Sequence, residues 1–236
     1  MEAIIPEQDI IADKDLYDIR HFYFDNERVG HSTCGMAFQT IMDIYRQHDA
    51  PSHDIGSWYR AICNSPNHIV LGYLAVYICL DTIRRNGMGT VDRELDDTLV
   101  KETFDTVPDV ERLITEDASC SRLYVPNSFN FPNVDAAIVW VDYHKRQAFV
   151  YLIQVTLATA HKNSETDFYQ TQWEGWESSF PSKYEVFPTF VCIAGPRVKK
   201  GVPQAPTDIV PEPRRVHLSI EYVNRRLHDM IARTGF

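Results

Sequence analysis

From residue 16 the chain reads LYDIRHFYFDNERVGH, with alternating apolar and polar positions on either side of Asp25-Asn26, the pattern of a β-hairpin. Beyond it, Phe38, Ile41, Met42 and Tyr45 recur every three or four residues, which predicts a helix over 35–48 capped by Ser32 or Thr33. A second short helix is expected over 55–63. The segment PNHIVLGYLAVYICLDTIRRNGMG opens on a proline suited to a first helical turn and closes on glycine. Its apolar residues surround the axis, so this helix is expected in the centre of the fold. The acidic stretch 89–119 predicts a helix over 93–104 and a short one after Pro108.

The second half reads differently. SRLYVP is a short strand, and two almost wholly apolar runs follow at 134–140 and 148–157. A polar, tryptophan-containing helix is expected over 163–179. The run VFPTFVCIA at 186–194 reads as a strand whose internal Pro188 predicts an edge position or a bulge. A proline-rich loop up to Arg215 and an amphipathic helix over 219–234 complete the pattern.

The two apolar runs make a geometric statement. A hairpin turning between His144 and Lys145 sets Asp135 opposite Gln154. One face then carries Asp135, Ala137, Val139 and Val141 beside Ala148, Val150, Leu152, Gln154 and Thr156; the other carries Ala136, Ile138 and Trp140 beside Phe149, Tyr151, Ile153, Val155 and Leu157. Both faces are apolar, so helices are expected on both sides, as in a central α/β sheet. Only the open end turns polar, through Asp135, Gln154 and Thr156. Two explanations fit these residues. In one, Asp135 caps a turn after Pro132-Asn133 and Gln154 satisfies nearby backbone. In the other, carboxylate and amide supply oxygen ligands to a hard cation such as Mg²⁺, which can position water against a phosphodiester.

Composition narrows the class. The chain has 236 residues, 44% hydrophobic and 12% aromatic, enough for a sizeable core. No clean linker divides it, so a single domain over 1–236 is expected, with hairpin and helices in 1–65 and the main core in 66–236. Cys34, Cys63, Cys79, Cys120 and Cys192 are scattered and read as reduced thiols. The start MEAIIPEQDIIADKD lacks the pattern of a secretory signal, and the apolar run 69–80 is short for a bilayer, so an intracellular protein without membrane contact is expected. The formal charge of −10 confines any nucleic-acid footprint to local patches, of which Arg197, Lys199, Lys200, Arg214, Arg215, Arg225 and Arg226 are the candidates beside a solubilising role. His-Glu-x-x-His, Cys-x-x-Cys, Gly-x-Ser-x-Gly and phosphate-loop patterns are absent from the sequence. His144 is expected in the hairpin turn. Tyr169, Trp173 and Trp176 are read as core, with base stacking as the functional alternative.

The run LYVPNSFNFPNVDAAIVW followed by YLIQVTLATAH resembles the C-terminal domain shared by retrotransposon hot spot proteins and Crinkler-type effectors. It shares their Pro-x-x-x-x-Phe-Pro-x-x-Asp approach, Gln-x-Thr strand and following histidine. The resemblance implies the PD-(D/E)XK restriction-endonuclease-like superfamily, with an α/β fold built on an αβββαβ core: a mixed sheet flanked by helices, here with an N-terminal hairpin-plus-helices extension. It also implies Mg²⁺- or Mn²⁺-dependent cleavage of nucleic acid. Carried over, Asp135 matches the metal-binding aspartate and Gln154 the second acidic ligand, with Val155 offering its carbonyl. Thr156 falls at the usual catalytic lysine, and His161 matches the histidine that follows, with Lys162 beside it near the phosphate. The family's helix glutamate aligns with Val76. The resulting expectation is a nuclear DNA endonuclease-like domain that binds its metal weakly. Its alternative is a degenerate nuclease fold that binds nucleic acid or nuclear proteins without cutting.

Overall fold

The computed structural model of the chain describes residues 22–24, 30–32, 68–89, 91–92, 95, 98–115, 120–127, 131–157, 164–196 and 213–233. The chain divides into two compact units, Met1–Asn64 and Ser65–Phe236. In the first, β1 (Phe22–Phe24) and β2 (Gly30–Ser32) pair antiparallel, with Phe22 opposite Ser32, while the expected turn at Asp25-Asn26 lies outside the described residues. The helices expected over 35–48 and 55–63 lie outside the described residues.

The second unit is a mixed α/β structure. Helix α1 (His68–Asn86) ends where glycine is needed: Gly87 adopts φ 67° and donates its N–H to the Ile83 carbonyl at 2.8 Å. A six-stranded sheet follows in the order β3 (Val100–Phe104), β4 (Cys120–Pro126), β5 (Ala136–Asp142), β6 (Gln147–Thr156), β7 (Glu185–Ala194) and β8 (Arg214–Ser219). The β4–β5–β6 meander is antiparallel, whereas β3 pairs parallel to β4, β7 parallel to β6, and β8 parallel to β7. Short helices punctuate the order: α2 (Glu111–Thr115) before β4, α3 (Ser164–Thr171) and α4 (Trp173–Glu177) before β7, and α5 (Ile220–Val223) and α6 (Arg225–Arg233) after β8.

Alternation sorts the hairpin residues as the pattern predicts. Ala137, Val139, Val141, Ala148, Val150 and Leu152 share one core cluster with Phe104, Tyr124, Phe168, Trp173, Trp176 and Phe190. Trp176 is 1% exposed, and burying such a side chain contributes on the order of 2–3 kcal/mol. The stacking alternative for Tyr169, Trp173 and Trp176 gives way to packing. On the opposite face Ile138, Tyr151 and Ile153 are equally buried, α1 lies against β6, and Trp140, Phe149 and Phe187 stack in one row across three strands. The Tyr151 hydroxyl donates to Asp92 at 2.6 Å, satisfying a buried polar group.

Several elements differ from their sequence pattern. Residues 100–104 form a strand rather than a helix, because the parallel ladder with β4 satisfies their backbone groups. Arg214–Ser219 is also a strand, although it reads as the end of a loop and the start of a helix. The helix expected over 163–179 is broken at Gln172 into α3 and α4. Helix α1 is half-exposed at Val76 and Tyr77, not buried all round. Pro188 sits inside the continuous β6–β7 register, opposite Val150, without a bulge, and β7 is an inner strand, yet Pro188 itself takes the expected local edge position. Pairing with β8 begins only at Thr189, so among the described residues Pro188 has a strand neighbour on one side alone and its missing N–H costs no ladder bond with β8.

Candidate functional site

The hairpin register runs from Asp142 opposite Gln147 to Ala136 opposite Ile153, the pairing expected from a turn between His144 and Lys145. At the turn, Asp142 accepts the Lys145 N–H at 2.9 Å, which holds its carboxyl below the usual range. At the other end the ladder changes. Asp135 donates its N–H to the Ile153 carbonyl at 2.8 Å, although Ala136 is the register partner of Ile153. Two residues therefore oppose one, which is a β-bulge. Asn133, at φ 73°, turns the chain into it.

The bulge resets which residue faces which layer. Strict alternation puts Asp135 on the Ala137 face; instead Val134, 2% exposed, joins that cluster. The Asp135 carboxylate accepts a hydrogen bond from the Val155 N–H at 2.7 Å. Strand β6 runs past the start of β5 here, and the side chain takes the place of the next ladder bond. The Val155 carbonyl points the same way as its N–H, towards the same end of β5. The charge of Asp135 is also felt by Cys79 on α1, a residue outside the Ala137 cluster. The Cys79 thiol is pushed well up, first by burial and then by Asp135.

Gln154 has different neighbours. It is half-buried and shares a row with Cys192 on β7 and His217 on β8. The Cys192 thiol is pushed up to about 11 by burial and by the negative charge of Glu165. Glu165, on α3, is 6% exposed and accepts from Arg215 Nε at 2.6 Å. This buried pair was not foreseen. Its signal was the spacing of Glu165 three and four residues before the buried Phe168 and Tyr169, which puts a carboxylate on the inner stripe of α3.

Asp135, Gln154 and Val155 are therefore neighbours at one rim of the sheet, with Asp135 bonded to main chain. Thr156 ends β6, half-buried, and its carbonyl accepts the Gly195 N–H at 2.8 Å. That approach leaves little room, since a Cβ on Gly195 would lie 2.9 Å from Leu157 Cδ2. Val76 is half-buried on α1 and brings no carboxylate. His161 and Lys162 lie outside the described residues. Among the described residues no three His, Cys, Asp or Glu side chains gather around one point. A carboxylate, an amide oxygen and a main-chain carbonyl are donor types that a hard cation takes, but the bulge turns Asp135 off the face that carries Gln154.

No protein-family model, curated protein or solved structure matches the chain. Among the described residues no helix is long and apolar enough to cross a membrane.

Proposed function

We propose that the Ser65–Phe236 unit is a restriction-endonuclease-like domain of the Crinkler and retrotransposon hot spot type, acting on DNA in the nucleus with Mg²⁺ or Mn²⁺. The observation that carries this reading is the Asp135 carboxylate held 2.7 Å from the Val155 N–H, at the bulged start of the second strand of an antiparallel meander. The element order supports it: a helix, three meander strands, a helical segment and a strand parallel to the third occur in the order of an αβββαβ core, with β3 and α2 inserted between the helix and the meander. In this reading Asp135 and the Val155 carbonyl hold the cation, and the Gln154 amide oxygen is the further ligand. A carboxylate oxygen pair has about four lone-pair sites, of which the bond from Val155 takes one. Bound there, the cation would lower the pKa of a water and stabilise the leaving oxygen. Thr156 supplies no positive charge to the developing phosphorane, and His161 or Lys162 takes that role.

A second reading is favoured by the Gln154 register. Gln154 pairs with Cys192 near the Glu165–Arg215 pair, while Asp135 acts electrostatically on Cys79 of α1. The same rim would then bind nucleic acid or a nuclear protein without cutting it.

Plasmid nicking with Mg²⁺ and with Mn²⁺ decides between the readings. Nicking by the wild type, lowered at least 100-fold in Asp135→Asn, is the result expected of a nuclease. Nicking unchanged by that substitution removes the site. Absence of nicking in the wild type, with DNA binding retained, establishes the binding module.

A further inference from the structure

We infer that Tyr222, Arg225 and Arg226 form a single-strand nucleic-acid contact on the same rim as Asp135, with the ring stacking on a base and the arginines meeting phosphates. This rests on the nucleic-acid reading of the rim, though not on cleavage. Two large apolar side chains are exposed among the described residues, Val100 and Tyr222, and Tyr222 is the more open at 74%. It follows Ile220, which is buried, so its helix is anchored while the ring projects into water.

Placement ties this ring to the candidate site. Strands β6, β7 and β8 run parallel, and Thr156, Ala194 and Ser219 form their last common row. Ser219 then caps α5, accepting the Glu221 N–H at 3.1 Å. Two strand spacings separate Ser219 from Thr156, about 10 Å. Tyr222 therefore leaves from the sheet end at which Asp135 meets Val155. The α1 layer links them too: Asn224 donates to Thr82 at 2.9 Å, and Cys79, one turn back on α1, lies in the field of Asp135.

Charge points to the occupant. Asn224 caps α6 by accepting the Leu227 N–H at 2.9 Å, and the first turn then carries Arg225 and Arg226, both exposed, with no acidic residue. The helix dipole disfavours cations at that end, so these arginines lower the stability of α6 instead of adding to it. A local rule broken on an exposed, rigidly capped turn marks function. In a chain of net charge −10 these are two exposed cations side by side. Chain length alone keeps the Cα atoms of Tyr222 and Arg226 within about 14 Å. Stacking platforms beside backbone-tracking cations are how single strands are held without sequence readout. Glu221 and Asp229 are the acidic residues of the segment, and they exclude a uniformly basic groove.

The test is fluorescence anisotropy of a labelled 12-nucleotide oligothymidylate against the full chain, across a salt series, with folding checked by circular dichroism. Tyr222→Ala is expected to weaken binding about 5- to 100-fold, and Tyr222→Phe to retain it. Arg225→Gln with Arg226→Gln is expected to flatten the log–log salt slope by about 1.4. Equal losses in Tyr222→Ala and Tyr222→Phe overturn stacking. Equal binding of poly-glutamate overturns the nucleic-acid assignment in favour of an acidic protein. Unchanged binding in Tyr222→Ala, or no binding by the wild type, overturns the inference, whereas plasmid nicking by the wild type and its response to Asp135→Asn judge the nuclease reading independently.

Discussion

Asp135 Oδ2 and the Val155 N–H, 2.7 Å apart, do the work of a ladder bond at the point where β5 has bulged out of register with β6. The carboxylate is thus structural before any ligand arrives. Its side-chain geometry is set by main chain, which fixes where the carboxylate oxygens lie.

A stability cost should accompany loss of this group. Asp135→Ala is expected to destabilise the chain by about 1.5–3 kcal/mol, the usual worth of a hydrogen bond to a charged group. Asp135→Asn keeps an acceptor oxygen and should lose about 1 kcal/mol. Urea unfolding measures both. A variant that is fully stable yet inactive would assign Asp135 to chemistry alone, and equal stability in all three proteins would show that the Val155 bond contributes nothing.

The Glu165–Arg215 pair joins α3 to β8, elements fifty residues apart in sequence. Arg215→Met leaves the buried carboxylate without this partner and should cost about 3 kcal/mol, the low end for such a pair because Arg215 keeps 21% of its side chain in water. Replacing Glu165 as well, by leucine, should return part of that loss. A double-mutant cycle with coupling above about 1 kcal/mol confirms the pair; additive losses refute it.

Cys192 supplies a pH dependence. Its thiol ordinarily titrates near 9.0 and is raised to about 11 by burial and Glu165. Below pH 9 both folded and unfolded chains hold the proton, and this group leaves stability flat. As pH rises further the unfolded chain ionises first, so stability falls until pH passes about 11. Urea midpoints at pH 8 and pH 10.5 are expected to fall less in Cys192→Ser than in the wild type. The same shift predicts that iodoacetamide at pH 8 spares Cys192 in the folded chain and modifies it after unfolding, with peptide mapping as the readout.

Much of this structure was legible in local pattern. The register of the β5–β6 hairpin follows from two apolar runs and the length of the turn between them, since side chains alternate with period two and any slip would expose one face. The end of α1 at Gly87 was legible for a similar reason: a left-handed residue closes a helix, and glycine takes that conformation without a Cβ clash. Asp135 and Gln154 stood out as polar residues where apolar ones continue the run.

Tertiary structure decided the rest. Residues 100–104 have no strong periodicity of their own, and they become a strand because β4 offers a parallel ladder. The segment Arg214–Ser219 becomes a strand because β7 does the same. The bulge at Asp135, the row joining Gln154 to Cys192 and His217, and the Glu165–Arg215 bond all depend on partners distant along the chain. A sequence encodes the period and the punctuation of each element locally. Which backbone edge meets which, and how one extra residue is absorbed, depends on pairing free energies that exist only once distant segments have come together.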